Sequence, residues 1–156
     1  SAAFTIQPAL TLSSNKNKET YSDANGVLRS LGTTNISFSP EVVASNAFIY
    51  SPLKNFSLSL LSKFVGEQYM GNFDTEAQKL DSYFVNDLNV SYKWSPKSVF
   101  SSVAISALIN NLFNEEYVSN GYTFYDDWTT PGTTTEVPGY YPQATRNFLV
   151  GVTLKF

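Results

Sequence analysis

The stretch Arg146-Asn147-Phe148-Leu149-Val150-Gly151-Val152-Thr153-Leu154-Lys155-Phe156 alternates strictly. Phe148, Val150, Val152, Leu154 and Phe156 fall on one parity. Asn147, Leu149, Gly151, Thr153 and Lys155 fall on the other, and only Leu149 among them is large and apolar. A period of two places one face in an apolar medium and the other in a mixed or polar one. The apolar medium is either a protein core or lipid.

Working outward, the same alternation recurs upstream. Phe4, Ile6, Leu10 and Leu12 oppose Thr5, Gln7, Thr11 and Ser13. Phe56, Leu58, Leu60 and Phe64 oppose Ser57, Ser59 and Lys63, with Leu61 and Val65 blurring the contrast. Leu88, Val90, Tyr92 and Trp94 oppose Asp87, Asn89, Ser91 and Lys93, while Val103, Ile105, Ala107 and Ile109 oppose Ser102, Ala104, Ser106 and Asn110. Val42 to Tyr50 is strand-like but ambiguous in phase. These patterns predict an all-β chain with six strands, near 3–13, 42–51, 55–68, 83–94, 99–112 and 146–156. Helical periodicity is confined to a few residues around Leu112 to Tyr117.

The predicted connections alternate in length. Ser51-Pro52-Leu53-Lys54 and Ser95-Pro96-Lys97-Ser98 are tight, Pro-bearing turns. The links 14–41, 69–82 and 113–145 are long and hold most of the acidic residues, including Glu19, Asp23, Asp74, Glu76, Asp81, Glu115, Glu116 and Glu136. Short turns at one end and long polar loops at the other suit an outer-membrane barrel, and a soluble sandwich can gather its loops in the same way. Aromatics at the strand ends, such as Tyr50, Phe56, Trp94 and Phe100 on one side and Phe64, Tyr69, Tyr83, Phe84 and Tyr117 on the other, read either as interfacial girdles or as caps of a sandwich core.

Composition removes several functions. The chain of 156 residues has 10 Lys and Arg against 13 Asp and Glu, a net charge of -3, and no basic block to hold a phosphate backbone, so nucleic acid is not expected as a partner. With no Cys and no His, thiol and imidazole catalysis, Cys/His metal sites and disulfides are all excluded. No run approaches the 18 apolar residues of a transmembrane helix, and no signal peptide opens the chain, so one is either absent or removed. Asp126-Asp127 supplies only a start on the six to eight oxygens that calcium takes. The expectation is a non-enzyme with no cofactor and no metal.

In order along the chain, several segments carry a resemblance. They are Phe38-Ser39-Pro40, Phe64-Val65-Gly66-Glu67-Gln68-Tyr69, Leu80 to Leu88, Asn110-Asn111-Leu112-Phe113-Asn114 with Tyr117, Ser119-Asn120-Gly121-Tyr122, and Tyr140 to Phe148 running into the terminal strand. Together they resemble the C-terminal barrel portion of TonB-dependent outer-membrane receptors, in the form common among Bacteroidota-type bacteria. The resemblance implies the last six antiparallel strands of a transmembrane β-barrel of about 22 strands, with the plug domain, the TonB box and the earlier strands absent. It implies a receptor or transporter fragment in the bacterial outer membrane, with long loops extracellular and the C-terminus periplasmic. Its role would be energy-coupled uptake of a scarce bulky ligand, namely a ferric siderophore, haem, corrinoid or oligosaccharide.

The implied partners are the rest of the barrel and its plug, a TonB-type coupling protein, the outer-membrane assembly machinery, lipid or lipopolysaccharide, and a surface lipoprotein. Phe148, Val150, Val152, Leu154 and Phe156 would be the assembly signal. Lys63, Asp87, Lys93 and Lys155, on the nonlipid parity, would face the lumen or plug. The alternative reading is a soluble, surface-displayed β-sandwich binding module. The aromatic-rich segment from Glu115 to Thr145 is the candidate ligand contact, through Tyr122, Phe124, Tyr125, Asp126, Asp127, Trp128, Tyr140 and Tyr141, the alternative being a loop folded over its own aromatics as a lid. Arg146 is expected to pair with Glu115 or Glu116.

Overall fold

The computed structural model describes residues 3–24, 26–96, 99–126 and 135–156. In chain order its strands are β1 (Ala3–Leu12), β2 (Lys16–Ala24), β3 (Val27–Asn35), β4 (Val42–Leu53), β5 (Phe56–Val65), β6 (Gln68–Tyr69), β7 (Lys79–Leu80), β8 (Tyr83–Trp94), β9 (Ser102–Asn110), β10 (Val118–Asp126), β11 (Thr135–Pro142) and β12 (Asn147–Lys155). One 3-10 turn, Glu76–Gln78, precedes β7. Six strands form an antiparallel sheet in the order β1-β4-β5-β8-β9-β12. The others form three two-stranded ribbons, β2-β3, β6-β7 and β10-β11.

The sheet is open. β1 pairs only with β4 and β12 only with β9, so both are edges. In a barrel every strand has two neighbours, because an unpaired edge leaves backbone donors and acceptors exposed. This overturns the expectation of the last six strands of a closed barrel of about 22 strands. The features that rested on closure go with it: the TonB-dependent transporter role, the outer-membrane placement with periplasmic C-terminus, the transmembrane strands, and energy-coupled uptake. So do the partners named with them, which are the plug, the coupling protein, the assembly machinery, lipopolysaccharide and a surface lipoprotein. Without a lumen, Lys63, Asp87, Lys93 and Lys155 are residues of one open face. Phe148, Val150, Val152 and Leu154 are residues of an exposed edge strand, and Phe156 follows it. Among the described residues no helix is long and apolar enough to cross a membrane.

Directly paired residues of an antiparallel ladder share a face. The registers therefore sort the sheet cleanly. Ile6, Phe48, Leu60, Leu88, Ile109 and Phe148 form one cross-strand row, and Phe4, Tyr50, Leu58, Val90, Ala107 and Val150 form the next. No charged residue occurs on this face. One polar row interrupts it, where Pro8, Asn46, Ser62 and Asn86 lie side by side. The Ser62 hydroxyl donates to Asn86 Oδ1 at 2.6 Å, while Asn46 Oδ1, Asn46 Nδ2 and Asn86 Nδ2 are covered without a partner among the described residues. The opposite face is mixed: it carries Lys63, Asp87, Lys93 and Lys155 among Ser, Thr, Ala and Asn, with Ile49, Leu61, Leu108 and Leu149 between them.

The core lies elsewhere. Among the described residues the buried hydrophobics are Val65, Met70, Leu80 and Val85, all at the end of the sheet where the ribbons gather. Each of the three predicted long loops holds a ribbon instead. Residues 16–35 fold back as β2-β3, with Asp23 Oδ1 accepting from Gly26 N at 2.9 Å and the Thr20 and Thr34 hydroxyls 2.7 Å apart. Asp74 ties this ribbon down. Its two carboxylate oxygens accept from Asn35 N and Asn35 Nδ2, each at 2.9 Å.

The turns differ from expectation too. Pro52 lies inside β4, so the first reversal falls between Leu53 and Phe56, and Lys97 and Ser98 of the second lie outside the described residues. No helical turn forms at 112–117. Asn111, with φ of 51°, instead closes the chain there: its Nδ2 donates to Glu115 O and its Oδ1 accepts from Glu115 N, both at 2.8 Å. Left-handed backbone of this kind is tolerated by Asn better than by most side chains.

Candidate functional site

The β10-β11 ribbon is a hairpin with its own two faces. Its register sets Tyr141 beside Asn120, Gly139 beside Tyr122 and Val137 beside Phe124 on the outward face. On the inward face Tyr140 lies beside Gly121, Pro138 beside Thr123 and Glu136 beside Tyr125. The outward face carries three rings in a row. Tyr141 and Tyr122 have centroids 5.7 Å apart at 45°, and Tyr122 and Phe124 have centroids 6.3 Å apart at 26°. All three stay about half exposed, at 54%, 49% and 48%.

Two glycines make this row. A Cβ on Gly139 would sit 2.4 Å from Tyr122 Cζ, so the ring lies flat across the backbone only because nothing projects there. A Cβ on Gly121 would sit 2.4 Å from Met70 Sδ and 2.5 Å from Gly139 O, so the hairpin presses directly on the buried methionine. The platform thus rests on the small core.

Beneath the hairpin lies a polar network centred on Gln78, whose residue is only 2% exposed. Its Nε2 donates to Glu136 Oε1 at 3.2 Å and to the Tyr125 hydroxyl at 3.4 Å. Its Oε1 accepts from Phe73 N at 3.4 Å. The Tyr125 hydroxyl in turn donates to Glu136 Oε1 at 3.3 Å, and Thr75 Oγ1 donates to Glu136 Oε2. Burial, with the Glu136 charge beside it, raises the Tyr125 phenol above its ordinary range, so it remains a donor. A cleft of about 500 Å³ opens between this network and the β2-β3 ribbon. Asn17, Thr20, Met70, Gln78, Thr123 and Tyr125 line it, and the Thr123 hydroxyl, covered at the wall, has no partner among the described residues.

A second hollow of about 510 Å³, lined by Asp81, Glu115, Glu116, Tyr117 and Tyr140 among others, lies on the inward side. At its edge Lys79 is engaged by Glu67 at 3.4 Å and Glu76 at 4.0 Å, and the Tyr83 and Tyr117 rings lie 4.4 Å apart. Burial raises both phenols. Among the described residues the ion pairs involve Lys16 and Lys79; Arg146 is held by its backbone N–H, which donates to Asn114 Oδ1 at 3.1 Å, rather than by Glu115 or Glu116. No group of three or more acidic side chains among the described residues is placed to hold a metal ion.

Of the residues singled out for ligand contact, Tyr122, Phe124, Asp126 and Tyr141 share the outward face, while Tyr125 and Tyr140 face the other way. Asp127 and Trp128 lie outside the described residues. Sequence reasoning missed Gln78, Thr75 and Met70, which support the hairpin. The one legible signal was the glycine at each level next to a tyrosine, Gly121-Tyr122 and Gly139-Tyr140. Asp87, expected to face a lumen, accepts from Asn111 N at 2.8 Å and fastens the turn after β9. Comparison with protein-family models, curated proteins and solved structures finds no match to this chain, so the resemblance to TonB-dependent receptors has no support from relatives.

Proposed function

We propose that the chain is a non-catalytic binding module that recognises a carbohydrate chain along the outward face of the β10-β11 hairpin. The observation that carries this reading is the row Tyr141-Tyr122-Phe124, with rings 5.7 and 6.3 Å apart, half exposed, and set against the backbone at Gly139. A sugar ring offers a flat C–H face to an aromatic ring and hydroxyls at its rim. Successive rings of a polysaccharide meet successive side chains of such a row. Rigid aromatic rings give much contact area for little lost rotamer freedom, and such anchors dominate recognition energy.

The non-catalytic part of the reading rests on how the carboxylates are used. Glu136 and Asp74 act as acceptors that hold ribbons together, and Asp87 holds a turn. Each is thereby engaged in holding the fold, whereas glycoside hydrolysis needs two carboxylates set to flank the bond.

Calorimetric titration against soluble glucans, mannans, xylans and chitin oligomers tests the proposal. At least one should bind, and Tyr122→Ala should weaken it by at least about tenfold, or about 1.4 kcal/mol. Binding to none of the panel, or unchanged affinity in Tyr122→Ala, would overturn it.

A further inference from the structure

We propose that the charge-free face of the six-stranded sheet is the surface on which two copies of this chain pack, each supplying the second layer of the other's β-sandwich. The inference is independent of what the hairpin binds. It starts from an imbalance: among the described residues, four buried hydrophobics at the ribbon end stand against thirty large hydrophobics left exposed. Many of the thirty lie on this one face, including Phe4, Ile6, Leu10, Phe48, Tyr50 and Val152. Among the described residues the chain's own ribbons do not cover it. The β10-β11 ribbon packs on the 3-10 turn and β7 instead.

Size selects a second copy. Six strands spaced about 4.8 Å, each about nine residues long at about 3.3 Å per residue, give a footprint of roughly 850 Å². Stable dimers bury about 800 Å² on each partner, whereas a monomer's largest apolar patch is usually about 300–600 Å². A two-fold axis through the face sets it against itself. With no charge anywhere on it, such an isologous contact meets no repulsion. The opposite face could not serve, because Lys63, Lys93, Lys155 and Asp87 would be stripped of water there. Two apolar sheets packed about 10 Å apart reproduce the ordinary sandwich.

Sedimentation equilibrium of the chain in plain buffer, over a hundredfold concentration range, tests this directly. The expected result is a monomer–dimer equilibrium with no larger species. Val150→Asp, on the apolar face, should raise the dimer dissociation constant by at least about 100-fold, and Thr153→Asp, on the other, should leave it within about threefold. The chain lacks cysteine, so single spin labels report geometry in the otherwise unaltered chain even if Val150→Asp fails to fold. Labels at Ala107→Cys should be closer across the dimer than labels at Ser106→Cys, which start from the opposite face. The proposal is overturned by a monomer at every concentration, by label distances in the reverse order, or by a chain dispersed only as one copy per detergent micelle. In that last case an amphiphile, not a second copy, covers the face.

Discussion

Replacing Gly139 by Ala tests whether the aromatic row is set by the backbone beneath it. The new methyl would lie 2.4 Å from Tyr122 Cζ, 2.6 Å from Cε1 and 2.8 Å from the hydroxyl oxygen. Carbon atoms pack best at about 3.5–4.0 Å, so the ring must retreat by roughly 1 Å or swing off the hairpin. Overpacking of a closed core costs about 1–3 kcal/mol. Tyr122 is 49% exposed and free to move outward, which puts the expected loss near the lower end, about 1 kcal/mol. Ligand affinity should fall more than stability, because the 5.7 and 6.3 Å spacings to Tyr141 and Phe124 are lost together. In a Tyr122→Ala background these three nearest contacts are gone, so Gly139→Ala should become nearly silent. Urea unfolding of the wild type, both single variants and the double variant, at one fixed protein concentration, measures the coupling. The expected coupling is at least about 0.7 kcal/mol, and additivity within about 0.3–0.5 kcal/mol would refute the backbone-seated row.

Three further outcomes follow from the same geometry. Gln78→Glu brings a second carboxylate to the site 3.2 Å from Glu136 Oε1, so it should destabilise at pH 7 by about 2 kcal/mol or more. Its folded pKa is raised by burial and like charge, so the loss should shrink as pH falls through that raised value; equal urea midpoint shifts at pH 4 and pH 7 would contradict this. Tyr83, Tyr117 and Tyr125 all sit above the ordinary phenol value of 10.0. Their contribution to stability is complete below pH 10.0 and lost as pH rises through their folded values, which an absorbance titration of phenolate should show as ionisation later than in the unfolded chain. Asn111→Ala removes the bonds to Glu115 O, Glu115 N and Ala144 O and leaves a side chain ill suited to φ of 51°. It should cost about 2–4 kcal/mol in thermal or urea unfolding, and Asn111→Gly less.

The alternation in residues 148–156 was readable because period two is a local property, and the register of β12 against β9 keeps Phe148, Val150 and Val152 together as the pattern implies. What covers that face, and whether the sheet closes on itself, was not readable. The same alternation serves a strand with one neighbour or two, and an apolar row meets a core, a lipid or a second copy with equal chemistry. The ribbons escaped for a different reason. Lys16–Ala24 has no apolar alternation at all, and it is held by ladder bonds, the Thr20–Thr34 hydroxyl contact and Asp74, none of which leaves a periodic trace. The aromatics of the candidate site were legible as a cluster, but not their division between two faces, which depends on the one-residue irregularity between Val118 and Asn120. Gln78 was invisible, since a glutamine in Glu76–Gln78 looks solvated until Tyr125 and Glu136 close over it.

The row Asn46-Ser62-Asn86 has a bearing on folding fidelity. Sliding one strand past its neighbour by a single residue would throw every apolar side chain to the wrong side, and the binary pattern forbids it. A slide of two residues keeps all the sides correct, and hydrophobic patterning is blind to it. The Ser62 hydroxyl and Asn86 Oδ1, 2.6 Å apart, meet only when Leu60 faces Leu88 and Phe64 faces Phe84. Shift β5 by two and a leucine or a phenylalanine stands opposite Asn86, leaving its carbonyl oxygen as bare as its amide already is. A few polar atoms in an otherwise greasy surface thereby act as an index mark, telling identical-looking alignments apart.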